Sequence, residues 1–268
     1  NGRNCWNCFT SNMRAATEVR SKIAYELRNA LSDHQLYLMY QPIIELATGN
    51  VHKAEALIRW QHPEQGTIYP AEFIAIAEET NLITEIGDWV FKQAANQVAL
   101  WQTNFDTEFQ ISVNKSPKQF ISKMSDWVNH LNELELNGRS IIVEITENLL
   151  LDIHELVVQQ LLNFRDAGVQ VAIDDFGTGY SSLSYLKKFD IDYLKIDRSF
   201  ISNLDSESND SILCEAIITM AHRLDMKVIA EGVETDSQKQ LLIAMGCDYG
   251  QGYFFSKPLT ADKFEAFL

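Results

Sequence analysis

The sequence has little of what would mark a membrane or nucleic-acid-binding protein. No apolar run reaches about eighteen residues, the length that a membrane-spanning helix needs, so we expect no membrane contact by this chain. Basic residues are scarce, since 22 Lys and Arg stand against 37 Asp and Glu and give a net charge of -15. A field of this sign repels nucleic-acid phosphates and disfavours a DNA or RNA polymer as partner. A small phosphate substrate remains possible where cations neutralise its site.

Cysteine is also rare, with four residues at Cys5, Cys8, Cys214 and Cys247. Cys5 and Cys8 form a C-x-x-C motif, but a zinc site needs two more ligands, and none lies nearby. A redox motif is expected at a helix start within a βαβ unit, whereas this pair lies in a leading tail. We therefore expect no function for the pair and a reducing compartment, the cytoplasm. The chain begins at Asn1 and is expected to be part of a longer protein.

The pattern of the chain alternates between strand-like and helix-like segments. Strands are predicted at 36–40, 52–60, 109–113, 141–145, 169–173, 193–196 and 227–230, and around 248–251. Helices are predicted at 70–79, 84–101, 154–166, 211–223, 237–245 and 260–268, and Ser116-Pro117 is typical of a helix start. Eight strands with intervening helices predict an α/β protein with a (β/α)8, TIM-like barrel.

Polar residues fall near the carboxyl ends of these strands, where such barrels carry their chemistry. Glu55 and Arg59 lie along the second strand, with the apolar Leu57 on the same face, and the later strands carry Asn114, Glu144, Asp174, Asp175, Lys195, Asp197, Glu231 and Gln251. One acidic residue at a strand end is more often a cap or a surface ion pair. The coincidence of such residues on most of the strands favours a common site instead. Converging carboxylates stay ionised only with cations present, and oxygen ligands select hard ions such as Mg²⁺ or Mn²⁺.

This pattern alone predicts a metal-dependent barrel enzyme with phosphate chemistry, because two such ions suit displacement at a phosphodiester. Residues 55–60 then read E-A-L-I-R-W, which resembles the signature of the EAL family of cyclic di-GMP phosphodiesterases. Further matches are Y-Q-P at 40–42, S-V-N at 112–114, E-I-T-E at 144–147, D-D-F-G-T-G-Y-S-S-L at 174–183, L-K-I-D at 194–197, A-E-G-V-E at 230–234, Q-G-Y at 251–253 and S-K-P at 256–258. The tripeptide E-A-L is uninformative by itself, but the ordered series is highly specific.

The resemblance implies hydrolysis of cyclic di-GMP to linear pGpG with two ions of Mg²⁺ or Mn²⁺, with Ca²⁺ inhibitory, in a barrel whose first strand runs antiparallel to the others. It implies metal ligands at Glu55, Asn114, Glu144, Asp174, Asp175 and Glu231. It implies substrate contacts at Gln41, Leu57, Arg59, Asp175 and Gln251. Glu55, Lys195, Glu231 and Asp197 are the expected catalytic residues, with Lys195 beside the attacking water. Glu147 resembles the residue that anchors the loop 176–182. A homodimer is also expected.

One residue and one segment call for separate comment, namely Lys115 and the N-terminal region. Lys115 stands where many members have a small apolar residue, and strand alternation predicts that it points away from the face of Asn114. Residues 2–6 resemble the last strand of a GGDEF domain, and residues 13–31 resemble the helix that joins GGDEF to EAL. We therefore expect residues 1–14 to be the remnant of an upstream GGDEF-like domain and linker start, and 15–268 to be the EAL domain.

Two other functions are weighed against the phosphodiesterase. A binding module that has lost catalysis would lack metal ligands or carry a broken D-D-F-G-T-G loop, and the sequence has neither defect. An unrelated metal-dependent barrel hydrolase would not carry the ordered motif series.

Overall fold

The computed structural model describes residues 11–121, 126–150, 154–177, 189–205 and 208–268, with side chains described from residue 20 onward. These residues form two compact units. The smaller contains residues up to Tyr37 together with Ile58–Ile86, and the larger contains Leu38–Leu57 together with the residues from Gly87 to Leu268. The predicted upstream remnant, 1–14, lies mostly outside the described residues.

Nine strands occur in the described part of the chain. They are β1 Leu36–Glu45, β2 Val51–His62, β3 Gly66–Ile68, β4 Gln110–Asn114, β5 Ile141–Thr146, β6 Gln170–Phe176, β7 Tyr193–Ile196, β8 Lys227–Ala230 and β9 Tyr249–Gly250. Pairing runs in the order β1-β9-β8-β7-β6-β5-β4-β2, and β1 also pairs with β2, so eight strands close a barrel. The strands β2 and β4–β9 pair in parallel with one another along this order, whereas β1 is antiparallel to β9 and β3 is antiparallel to β2. The predicted barrel with an antiparallel first strand is confirmed.

The helices connect these strands. In the described residues they are α1 Ser11–Ala30, α2 Pro70–Glu79, α3 Ile83–Asn104, α4 Pro117–Phe120, α5 Trp127–Glu133, α6 Glu155–Asp166, α7 Arg198–Ser202, α8 Asn209–Arg223, α9 Asp236–Ala244 and α10 Ala261–Glu265. The predicted helices agree with these bounds to within a few residues, except that α10 ends three residues earlier. The strand β3 and the short helices α5 and α7 were not predicted. None of the helices in the described ranges has both the length and the apolar character needed to cross a bilayer.

Aromatic packing fills one end of the larger unit. Phe264 of α10 is fully buried and stacks on Trp101 with ring centroids 4.6 Å apart. The rings of Tyr40 and Phe109 meet the Phe264 ring edge-on, with centroids 6.3 and 6.0 Å from its centroid. The interior of the barrel continues from there through Ile43, Ile142, Ala172, Tyr193 and Ile229. These contacts hold β1, α3, β4 and α10 together.

The smaller unit packs α1, α2 and β3 around the end of β2. The Trp60 ring lies edge-on to Phe73 at 5.8 Å, and its indole N–H donates to Gln35 Oε1 at 2.9 Å. His62 Nδ1 accepts the backbone N–H groups of Glu64 and Gln65, which fixes the turn between β2 and β3.

We predict that Phe264→Ala lowers the free energy of unfolding by about 3–5 kcal/mol, because it leaves a cavity against Trp101. Urea denaturation followed by circular dichroism measures this loss. Phe267→Ala is the matched control on the same segment, since Phe267 is 40% exposed and its removal leaves no buried cavity. Equal losses in the two variants would contradict the packing assignment.

Candidate active site

The closed barrel brings the polar strand ends together. Asn114 and Glu144 are register partners on β4 and β5, and Thr146 pairs with Asp174 on β6. Lys195 lies one residue before the end of β7, and Glu231 follows β8 directly. Parallel strands end at the same edge, so residues separated by many positions in sequence come to share one site.

Lys195 lies at the centre of this site and is 1% exposed. Its Nζ is 2.6 Å from Glu231 Oε1, 2.7 Å from Glu144 Oε2 and 3.0 Å from Asp174 Oδ1. Glu55 Oε2 is farther away, at 3.9 Å. Lys195 is therefore not a solvated residue at a strand end.

Burial and charge oppose each other at these groups. Burial lowers the pKa of Lys195, but the attraction of the four carboxylates outweighs it and holds this pKa well above its usual value. Burial raises the pKa of Glu144 well above its usual range, and Lys195 opposes that rise. Burial also raises the pKa of Glu231, to about 7. A second cation at this site would relieve the same repulsion.

Two amide side chains link Glu55 to its neighbours. Asn114 Nδ2 donates to Glu55 Oε1 at 2.8 Å, and Gln251 Nε2 donates to Glu55 Oε2 at 2.7 Å. Gln251 Nε2 also lies 3.1 Å from Gln41 Oε1, and Gln41 Nε2 donates to the Ser256 carbonyl. Both oxygens of Glu55 are thereby oriented by donors from β4 and from the segment after β9.

A bulge explains how two successive aspartates reach one site. Adjacent side chains on a regular strand point to opposite faces. In β6, however, the register with β7 shifts between Ile173 and Phe176, and Asp175 has φ of 54°. Such bulges re-aim side chains. Carboxylate oxygens of Asp174, Asp175 and Glu231 consequently lie within 4.8 Å of one another.

Asp197 caps the short helix α7. Its carboxylate accepts the Ser199 N–H at 3.0 Å, and this bond and a side-chain bond from Ser199 lower its pKa, although burial opposes them. Asp197 also contacts Asp175, whose pKa is raised by burial and then by the charges of Asp174 and Asp197. The expected catalytic residue Asp197 therefore meets the site through Asp175.

Glu147 begins a short 3-10 turn after β5 and is buried. Its Oε2 accepts the Gly177 N–H at 3.1 Å, directly after the bulge. This contact lies at the start of the loop 176–182 that Glu147 is expected to anchor. Residues 178–182 of that loop are outside the described residues.

A cavity of about 190 Å³ opens beside the carboxylates and is lined in part by Gln41, Leu57 and Gln251. Five further lining residues have no role in the sequence analysis: Arg198, Gly232, Glu234, Gly252 and Tyr253. Arg198 Nη2 donates to Glu234 Oε1 at 2.7 Å. Gly232 has φ of 70°, and a Cβ there would meet Arg198 Cγ at 2.3 Å. Apart from Arg198, these residues belong to the E-G-V-E and Q-G-Y motifs, which were the available signal.

Arg59 belongs to the smaller unit, and its contacts with Ile58 and Tyr69 lie within that unit. It is buried, its Nη1 donates to the Ile58 carbonyl at 2.7 Å, and its guanidinium lies 5.5 Å from the Tyr69 ring centroid. Arg59 and Leu57 stand two positions apart on the regular strand β2, the spacing that strand alternation associates with one face of a strand.

Lys115 is buried among aromatic rings, with Nζ 3.9 Å from the Trp127 centroid. Burial lowers the pKa of Lys115 to about 8, and the charge of Asp88 opposes this shift. The prediction that it points away from the face of Asn114 agrees with this environment.

The residues at the centre of the site fit divalent cations. Every potential ligand is an oxygen of a carboxylate or of an amide, as hard ions require. Glu144 Oε1 is buried without a hydrogen-bond partner, so it has a free coordination direction inside the cluster. The group formed by Asp174, Asp175 and Glu231 could hold a metal ion.

Known proteins resemble this chain along most of its length. A family model described as EAL domain matches residues 24–258. Bifunctional diguanylate cyclase/cyclic di-GMP phosphodiesterase MucR of Pseudomonas aeruginosa is 39% identical over 267 residues, which are 98% of this chain and 38% of MucR. Cyclic di-GMP phosphodiesterase NbdA of the same organism is 39% identical over 269 residues, covering 100% of this chain and 34% of NbdA. The chain thus spans less than two fifths of these curated relatives.

A solved structure described as PaMucR Phosphodiesterase, c-di-GMP complex, has the same fold. It is 38% identical to this chain, with a TM-score of 0.85, and the match covers 91% of this chain and 99% of that one.

The raised pKa of Glu231 predicts a pH effect on the metal-free chain. The pKa of Glu231 is raised from its ordinary value of 4.5 to about 7. Between these two pH values the unfolded chain has released the proton of the Glu231 carboxyl group, whereas the folded chain still holds it. Stability therefore falls as pH rises through that window. Urea denaturation in EDTA should show this decline, and Glu231→Gln should make it shallower. An identical slope in wild type and Glu231→Gln would refute the prediction.

Proposed function

This chain belongs to the EAL-domain family, and on that premise we propose that it hydrolyses cyclic di-GMP to linear pGpG. The observation that carries the proposal is the buried Lys195 ammonium, held by carboxylates from four strands within a barrel of this family. The reaction adds one water across one phosphodiester bond, so the product is a linear dinucleotide with a terminal phosphate.

Two divalent ions, Mg²⁺ or Mn²⁺, are the proposed cofactors. Glu55, Asn114, Glu144 and Asp174 would hold the first, and Asp174, Asp175 and Glu231 the second. When bound, the ions would neutralise phosphate oxygens and lower the pKa of water at the site. The free oxygen of Glu144 and the convergence of Asp174, Asp175 and Glu231 support this assignment.

The chain's own residues would position the reacting groups. Lys195 would donate a hydrogen bond to the attacking water, and the carboxylates around it keep its ammonium charged at neutral pH. Glu55 and Glu231 complete the proposed catalytic set, together with Asp197, which supports Asp175.

The substrate would lie in the cavity beside the carboxylates. Gln41, Leu57 and Gln251 line this cavity and are the proposed contacts there. Asp175 and Arg59 are proposed to contact the substrate as well. The buried hydrogen bonds of Gln41 and Gln251 hold their amides in fixed orientations, which lowers the entropy lost on binding.

The remaining proposals concern the protein around this domain. We propose a cytoplasmic homodimer attached to an upstream GGDEF domain, and the similarity to bifunctional MucR supports the attachment. Glu147 is proposed to anchor the loop 176–182, and its hydrogen bond to Gly177 supports this role.

The proposed function is tested by turnover of cyclic di-GMP, followed by chromatography of pGpG with Mg²⁺ or Mn²⁺. Glu55→Ala should lower kcat by at least about 100-fold, because one lost oxygen ligand weakens the ion that activates water. Glu215→Ala, a change on the exposed face of α8, is the control and should keep wild-type activity. Ca²⁺ should inhibit, since its longer bonds misplace the oxygens. No turnover by wild type with either ion, or full turnover in Ca²⁺ alone, would contradict the proposal.

The loop-anchor role of Glu147 has its own test. Glu147→Ala removes the acceptor of the Gly177 N–H, so half-maximal activity should require several-fold more Mg²⁺, and this amide should exchange faster with deuterium. Glu147→Gln keeps an acceptor oxygen and should lie closer to wild type. If Glu147→Ala retains wild-type metal dependence and exchange, the anchor role is wrong.

A further inference from the structure

Lys115 lies at the point where β4 leaves the candidate site. Its backbone N–H donates to the Glu144 carbonyl at 2.9 Å. Asn114 and Glu144 are register partners, so this bond extends the pairing of β4 with β5 beyond Asn114. The backbone on both sides of Asn114 is therefore held against β5.

The side chain of Lys115 ends in a cage of three aromatic rings and is 2% exposed. Nζ lies 3.9 Å from the ring centroid of Trp127, 5.0 Å from that of Phe120 and 5.7 Å from that of Phe164. The three rings are buried and belong to α5, α4 and α6. One ammonium group thus connects the end of β4 to three helices.

The Trp127 ring is itself fixed. Its indole N–H donates to Asp88 Oδ1 at 2.8 Å, and Phe91 stacks against it at 4.2 Å with an interplanar angle of 9°. Asp88 also attracts the Lys115 charge. A rigid ring face and a nearby carboxylate therefore compensate the buried cation from one side of the cage.

The charge makes this contact directional. An apolar side chain would fill the cage without the cost of desolvating a cation. A cation is attracted only where it lies over a ring face, within about 6 Å of the centroid. This requirement restricts rotation of the strand end about its axis. Because successive side chains point to opposite faces, restricting Lys115 also restricts the direction of Asn114.

We propose that Lys115 is a positioning residue that directs Asn114 toward the carboxylate cluster and thereby strengthens divalent-ion binding. The inference rests on the proposed function, which places Asn114 among the ligands. Asn114 needs this support because its side chain is exposed, so its direction follows from the backbone and from the hydrogen bond to Glu55.

The test compares wild type with Lys115→Met, which keeps the length of the side chain and removes its charge. Mn²⁺ alone is titrated into each chain, and electron paramagnetic resonance counts the free ion. Loss of a residue that orients a ligand weakens metal affinity by about 10-fold or more, and Lys115→Met should show a shift of that size. Its kcat at saturating Mn²⁺ should stay within about twofold of wild type, because binding and not chemistry is altered.

Three further variants separate the outcomes. Phe264→Leu destabilises a separate aromatic cluster, the one around Trp101, and should leave Mn²⁺ affinity unchanged. Trp127→Phe removes the bond to Asp88 and weakens the ring face, so it should weaken Mn²⁺ binding less than Lys115→Met. If Lys115→Met does not fold, the Mn²⁺ affinity of Trp127→Phe tests the positioning role in its place. Glu144→Gln should abolish the measured binding and so identifies the site.

Wild-type Mn²⁺ affinity in both Lys115→Met and Trp127→Phe, with only thermal stability lost, would overturn the positioning role and leave the proposed function standing. If wild type shows no Mn²⁺ binding that Glu144→Gln removes, both the positioning role and the proposed function are overturned.

Discussion

The buried ammonium group of Lys195 is the interaction on which the site depends. Four carboxylates from different strands converge on its Nζ, and without this cation their mutual repulsion would raise their pKa values further or separate the strands. Lys195 neutralises part of that charge, which allows the strand ends to lie close together. The cluster keeps more negative than positive charge, which is the electrostatic condition for binding further cations.

Barrel closure determines which residues can join this cluster. The antiparallel β1 pairs with both β9 and β2, and it brings Gln41 beside Gln251 and Gln251 beside Glu55. An open sheet would leave the residues of β2 and those after β9 at opposite edges. The amide contacts to Glu55 are thus a consequence of closure, and they orient a carboxylate that also faces Lys195.

Much of this arrangement could be predicted from the sequence, because strand ends with polar residues imply a shared site once a barrel is assumed. Periodicity alone could not predict the joint approach of Asp174 and Asp175, which depends on a bulge and a positive φ at Asp175. The cap formed by Asp197 on the short helix α7 was missed for a similar reason, since five residues carry too little periodic signal. Arg198 was missed because its ion pair with Glu234 joins residues 36 positions apart.

Buried lysines in the larger unit are compensated in two ways, and the difference bears on function. Lys195 is balanced by carboxylates, which are also the candidate ligands of a metal ion. Lys53 lies 5.0 and 5.4 Å from the rings of Tyr249 and Tyr193 and bonds to Gln110, and Lys115 lies among the rings of its cage. Ring faces carry no net charge and cannot be titrated by metal binding. A cation held by rings, with Asp88 outside the cluster as its charged neighbour, can therefore fix a strand end without depending on the carboxylates around Lys195.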